Sequence, residues 1–283
     1  MPTRHPNSLD VQQKLLHSLL HAADESRLKG EYAHAEPLYL KALELAESAF
    51  GPDHLEVAGV LNNLAVLYKY TGKFDEAEPL YRRALAITER ALGADHQDLA
   101  TIYHNLGGLE HARGRYAGGE PLARRSVEIR ERALGTDHPE VAADIAALAA
   151  HLDGQGKYGE SEPLYRRALA VFKREYGPEH YEIAVNLNNL AALKQAQGNT
   201  SEAEHLYRRA LAMKEKLLGP RHPDVAMTLN NLAVLCKAKG RYIEAGSLYR
   251  RALAIFESFL GPEHPKVVTC RKNYARLLHK TSD

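Results

Sequence analysis

Tryptophan is absent and cysteine nearly so: of 283 residues only Cys236 and Cys270 carry thiols. Two cysteines cannot build a disulfide framework, so the fold has to be held by packing. Charge of one sign is not in excess either. The 37 basic side chains almost cancel the 36 acidic ones, which removes the electrostatic footprint that draws proteins to phosphate backbones or anionic lipid. No nucleic-acid and no membrane partner is expected. No apolar run approaches the roughly 20 residues that span a bilayer. The opening MPTRHPNSLDVQQ lacks the apolar core of a signal peptide, so a reducing, cytoplasmic setting is the expectation. A nucleophile elbow, a phosphate-binding glycine loop and a zinc-spaced cysteine pair are all missing. No catalytic residue, metal or cofactor is therefore expected, and an enzyme is the least supported class.

What the chain does have is apolar mass, 45% of its residues, and a strict repeat. Gly51, Gly93, Gly135, Gly177, Gly219 and Gly261 recur every 42 residues without insertion. The phrase Tyr-Arg-Arg-Ala-Leu returns in the same register at 81–85, 165–169, 207–211 and 249–253, and Leu-Asn-Asn-Leu-Ala at 61–65, 187–191 and 229–233. Self-similarity at this period marks a stack of supersecondary units. Within one unit, Val57, Val60, Leu61, Leu64, Leu67 and Tyr68 follow the spacing of one helix face. This is helix A of the unit. Gly72, with its equivalents Gly30, Gly114, Gly156, Gly198 and Gly240, then marks a tight turn. Helix B runs from about Asp75 to Leu92, with Pro79 in its first turn, and ends at Gly93, where a left-handed C-cap is expected.

Small residues share one slot on helix A (Ala23, Ala65, Gly107, Ala149, Ala191, Ala233, Ala275) and one on helix B (Ala35, Ala77, Gly119, Ser161, Ala203, Ala245). They permit close helix approach. An aromatic follows each turn glycine at Tyr32, Phe74, Tyr116, Tyr158 and Tyr242; Thr200 breaks the series, which predicts a looser fifth unit. His54, His96, His138, His180, His222 and His264 form a complete ladder. Packed helices stand about 8–10 Å apart, whereas zinc needs its nitrogens about 2 Å away, so two rungs cannot share an ion. These histidines read as loop and helix-start residues, with Pro139, Pro223 and Pro265 at the first helical position after three of them. The paired arginines are assigned to packing and salt bridges, and Cys236 to the core.

The order of small residue, turn glycine, aromatic, Glu-Ala and terminal Ala-Leu resembles the tetratricopeptide repeat. The 42-residue period with LNNLA, EAEPLYRRAL and G-x-x-H-P is similar to the kinesin light chain subtype. The resemblance implies an all-α fold, a right-handed superhelical solenoid of antiparallel helix pairs. Its parts would be a flexible tail at 1–9, units near 10–51, 52–93, 94–135, 136–177, 178–219 and 220–261, and a capping helix at 262–280. It further implies a protein-protein interaction scaffold or adaptor that holds an extended peptide in its concave groove. A structural or self-associating solenoid, or a sensor or regulatory module of a larger signalling assembly, is the alternative.

In the family helix A lines the concave face. That places Asn62, Asn63, Val66, Lys69 and Tyr70 in the groove, then His104 and Asn105, Asn188 and Asn189, Asn230, Asn231 and Lys237, and finally Asn273 and Arg276. A carboxamide both donates and accepts, so such a ladder can pair with the backbone of an extended peptide whatever its side chains. The first asparagine of each pair is equally suited to fixing the stacking of repeats. The series breaks in the fourth unit at Ala143, Ala146, Ala147 and Ala150, followed by Asp153, a shallow stretch suited to a bulky side chain. Lys237, Lys272, Arg276 and Lys280 collect toward the C-terminal end, opposite Asp24 and Arg27. With the family's preference, this points to an acidic ligand carrying an aromatic or bulky anchor, and self-association stays open.

Overall fold

The computed structural model describes residues 8–282. The tail expected at 1–9 lies, apart from Ser8 and Leu9, outside them. Two compact units divide the chain at Arg113–Gly114, and all described secondary structure is helical. Unit 1 contains α1 (Ser8–Leu28), α2 (Tyr32–Phe50), α3 (Leu55–Tyr70), α4 (Phe74–Leu92) and α5 (Gln97–Ala112). Unit 2 contains α6 (Tyr116–Leu134), α7 (Pro139–Gly154), α8 (Tyr158–Tyr176), α9 (Tyr181–Ala196), α10 (Thr200–Leu218), α11 (Pro223–Ala238), α12 (Tyr242–Phe259) and α13 (Pro265–Ser282). Inside each unit every helix packs on the next. Odd-numbered neighbours also touch, α3 with α5, and α7, α9, α11 and α13 in series, so helix A elements share one face.

Local sequence explains the boundaries. His54, His96, His138, His180 and His222 stand in extended backbone before helix A, and each Nδ1 accepts the N–H two residues on at 3.1–3.3 Å. His264 does the same for Lys266. A neutral imidazole thus takes the part usually played by serine or aspartate, satisfying one of the orphan N–H groups of a helix start. The ladder is a set of caps. At the end of helix A the chain closes through a six-to-one bond, such as Lys73 N–H to Tyr68 O at 2.8 Å, with Gly72 at φ 78°.

Three expectations are corrected. Gly93 has φ 87° but ψ 159°, so helix B does not end in a left-handed helical residue; it ends in a region of backbone space that is almost glycine-only. Helix B also begins one residue earlier than its aspartate, at Phe74, and carries Pro79 as an internal residue. The fifth unit is not left loose by Thr200. Asn199 caps α10 by accepting from Glu202 N–H at 3.3 Å.

The core is the sum of the two slots. Ala35, Ala77, Ala203 and Ala245 are fully buried, as are Ala23, Ala65, Ala149, Ala191 and Ala233, whereas Ala275 on α13 is exposed. In unit 1, Ala23, Ala35, Tyr39, Leu64 and Leu67 form one cluster. Each enclosed leucine there stabilises by about 1.5–3 kcal/mol. Glutamates clamp successive helices: Glu36 holds Lys73 at 2.8 Å, Glu78 holds Arg113 at 2.5 Å, Glu120 holds Lys157 at 2.8 Å, Glu162 holds Lys194 at 2.7 Å and Glu204 holds Lys239 at 2.6 Å. The paired arginines act as the sequence suggests. Arg82, Arg124, Arg166 and Arg208 bind the glutamate one turn earlier, while Arg83, Arg167 and Arg251 reach loop carbonyls 31 residues back.

Candidate functional site

The asparagines of helix A are joined to one another. In unit 1, Asn105 Nδ2 donates to Asn62 Oδ1 at 2.9 Å, and Asn62 Nδ2 donates to Asn63 Oδ1 at 3.3 Å. In unit 2 the chain is longer. Asn273 donates to Asn230 at 3.3 Å, Asn230 to Asn231 at 3.5 Å, Asn231 to Asn188 at 3.4 Å, and Asn188 to Asn189 at 3.5 Å. The inter-repeat step is always 43 residues, second asparagine back to first. The first asparagine of each pair therefore ties adjacent helices together, and Asn188 is only 5% exposed.

Each chain has a direction, and it ends on Asn63 or Asn189. Their half-buried carboxamides accept but donate to no described residue. The reason lies in the register. An acceptor for Asn189 would stand 43 residues earlier, where α7 has Ala146, and for Asn63 where α1 has Leu20. Head-to-tail amides polarise one another, so the terminal N–H groups are the strongest free donors of the two rows.

Around these rows the remaining candidates divide. Lys69 Nζ lies against Gly108 and above the Tyr70 ring, whose centroid is 5.8 Å away; Tyr70 stacks on Tyr32 at 6.2 Å. His104 is half-buried on α5. Lys237, half-buried on α11, and Arg276, exposed on α13, make no ion pair among the described residues. Lys280 instead covers the Tyr242 ring at 5.4 Å. Asp24 and Arg27 are spent inside unit 1: Asp24 accepts from the Tyr39 hydroxyl at 2.5 Å and from Arg27 at 3.1 Å. The four alanines at 143, 146, 147 and 150 are half-buried on α7.

Two depressions flank the rows, and neither was read from sequence. In unit 1 a hollow of about 250 Å³ is lined by Ala58, Gly59, Asn62, Thr88, Asp98 and Ile102 among others. In unit 2 one of about 280 Å³ is lined by Ala192, Gln195, Ala196, Tyr207, Asn231 and Val234. The helix A members carry a legible signal, since they lie on the same face as the asparagines; Thr88 and Tyr207 come from helix B and do not. Tyr207 is buried, and burial raises its hydroxyl well above the ordinary range, helped by the Asp153 charge. Burial likewise raises the Cys236 thiol and pushes Cys270 up to about 11, so neither is a nucleophile at neutral pH. Among the described residues no group of three histidine, cysteine, aspartate or glutamate side chains could hold a metal, and no helix is long and apolar enough to cross a membrane.

The tetratricopeptide repeat model matches residues 15–90, 56–117, 98–170, 142–216, 186–245 and 224–283. The chain belongs to the tetratricopeptide repeat family. Among solved structures, this tetratricopeptide repeat chain is similar to BtubC (BKLC) from P. vanneervenii, with 25% identity over 88% of this chain and 92% of that one, and a TM-score of 0.55. It is also similar to a putative kinesin light chain from Podosopora anserina with nearly identical TPR-like repeats, at 26% identity over 71% and 96% of the two chains, TM-score 0.52. A Rap protein complexed with competence and sporulation factor shares the fold, with a TM-score of 0.63 at 15% identity over 96% and 78%. Among curated proteins, none matches the sequence.

Proposed function

We propose that this tetratricopeptide repeat protein is a non-enzymatic interaction scaffold. In each unit the helix A face holds an extended segment of a partner protein, Asn63 donating to a backbone carbonyl of that segment in unit 1 and Asn189 in unit 2. The observation that carries the reading is the open donor end of each amide row: a half-buried carboxamide without an acceptor is stabilised by any ligand that supplies one. The other asparagines set the position of these two, and Asn231 and Asn105 each keep a second N–H for the ligand. Lys237 and Arg276, cations without ion-pair partners among the described residues, favour an acidic ligand residue where it lies against α11 and α13, and the hollow beside Asn231 suits a bulky side chain. The fold accommodates a bound factor in the Rap complex, which supports the class of function but not these contacts.

The test is capture from native lysate by wild type beside Asn63→Ala and Asn189→Ala variants of equal helicity by circular dichroism. A partner retained by wild type and lost from a variant supports the reading. Equal capture by all three moves binding to another surface. A chain that captures nothing and sediments as a dimer or larger replaces the adaptor with a self-associating scaffold.

A further inference from the structure

Asp153 differs from the glutamates that clamp successive helices in unit 2. Glu120, Glu162 and Glu204 are each held down to about 2, by Lys157, Lys194 and Arg241 respectively as the leading partner. Asp153 is half-buried in the last turn of α7, and no donor or cation among the described residues reaches its side chain. Burial alone pushes its carboxyl up to about 6. Its charge is felt by the hydroxyls of Tyr165 and Tyr207.

Register places this acid beside the unit 2 hollow. Asp153 is one 42-residue step before Gln195 and two before Lys237, on helices that pack side by side. Gln195 and Tyr207 both line the hollow, whose other walls include Ala192, Ala196 and Val234. Asp153, whose charge reaches Tyr207 of the lining, thus stands on the α7 side of the small apolar walls, and Lys237, three residues beyond Val234, on the α11 side.

We infer that this hollow receives a lysine or arginine side chain of the partner's extended segment, the aliphatic stem lying on Ala192, Ala196 and Val234 and the charge meeting Asp153. The chemistry matches at both ends of such a side chain, because a long cationic residue buries its methylenes while keeping its head on a polar partner. A small ligand cation without a stem would leave the apolar walls wet. Polarity follows. Two helix steps of about 8–10 Å separate Asp153 from Lys237, which corresponds to roughly five or six residues of extended chain at about 3.3 Å each. The preferred ligand therefore carries a basic residue and, about five or six positions away, an acidic one. The inference rests on the groove reading above and adds the ligand's chemistry to it.

The experiment selects random dodecapeptides displayed on phage against the full chain in four forms: wild type, Asp153→Asn, Asp153→Lys, and the Asn189→Ala, Asn231→Ala double variant. Wild type should enrich lysine or arginine at one fixed position. Asp153→Asn should lose that enrichment and bind the best wild-type peptide at least about tenfold more weakly. Asp153→Lys should exchange the preference for aspartate or glutamate. Peptides that need Asn189 and Asn231 but show no basic position, or the same basic position with Asp153→Asn, overturn the cation receptor and leave the groove standing. Peptides indifferent to the double asparagine change overturn both.

Discussion

Adding one methyl group at Gly119 isolates a packing rule from every other effect. A Cβ built there falls 2.1 Å from His151 Cε1 and 2.6 Å from Nδ1, far inside the 3.5–4.0 Å at which carbon atoms attract. Both residues are buried, His151 to 1% exposure. Elsewhere the helix B slot holds Ala35, Ala77, Ser161, Ala203 or Ala245, and the position 32 residues on holds Leu67, Leu109, Leu193, Leu235 or Leu277. Only the third unit pairs glycine with histidine. In a helix alanine gains about 1 kcal/mol over glycine, while overpacking costs about 1–3 kcal/mol. An enclosed ring that must be displaced by more than 1 Å puts the cost at the upper end, so Gly119→Ala should destabilise by about 1–2 kcal/mol. With His151→Leu in place the ring is gone and the same change should stabilise by about 1 kcal/mol. The cycle of four proteins then gives a coupling of about 2–3 kcal/mol, measured by urea unfolding followed by circular dichroism, with equal slopes certifying a common transition. Additivity within about 0.5 kcal/mol, or a Gly119→Ala protein more stable than wild type, would refute the reasoning.

Two tyrosines of one slot should respond oppositely to loss of the hydroxyl: Tyr81→Phe removes a buried oxygen without a partner and should gain about 1 kcal/mol, whereas Tyr39→Phe breaks the 2.5 Å bond to Asp24 and should lose about 1.5–3 kcal/mol in thermal or urea unfolding. Asp153→Asn should stabilise by about 1–2 kcal/mol at pH 7.5, because wild type holds a carboxylate desolvated beside the neutral Tyr165 and Tyr207 hydroxyls. Its folded pKa, about 6, is above the unfolded value of about 3.9. The folded state thus binds the extra proton, wild type catches up as pH falls from 6 toward 4, and a gain constant over that range would contradict the assignment. Lys194→Met should cost about 1–2 kcal/mol at pH 7, since it removes the leading one of the partners that hold the Glu162 carboxyl at about 2, Arg166 and Gln197 remaining. That stability exists above about 4.3 and is lost as pH falls toward 2, so wild type and variant should converge in acid unfolding. Burial lowers the His222 pKa, so its share of stability is complete above about 6.5 and lost below it; His222→Asn, which keeps a capping acceptor, should flatten the unfolding midpoint between pH 7 and pH 5.

The sequence by itself determined everything that a residue settles with its near neighbours. Helix pairs follow from the 42-residue period and the 3.6-residue apolar spacing. The ends follow from His and Pro before helix A and glycine after each helix, because caps and turns are backbone requirements met within two to five residues. Even the histidines were legible, since the distance between repeats forbids a shared metal. What only the tertiary structure decided concerns groups satisfied, or left unsatisfied, by residues 32–43 positions away. The asparagine rows have a direction because Asn231 finds Asn188 while Asn189 meets the register of Ala146. Asp153 is isolated because the groups that feel its charge are the Tyr165 and Tyr207 hydroxyls rather than the lysines and arginines that serve Glu120, Glu162 and Glu204. Gly119 is small because His151 is large. In each case the residue type is plain from the sequence, but a hydrogen bond, a charge or a van der Waals contact belongs to a pair, and the second member is chosen by how the helices pack.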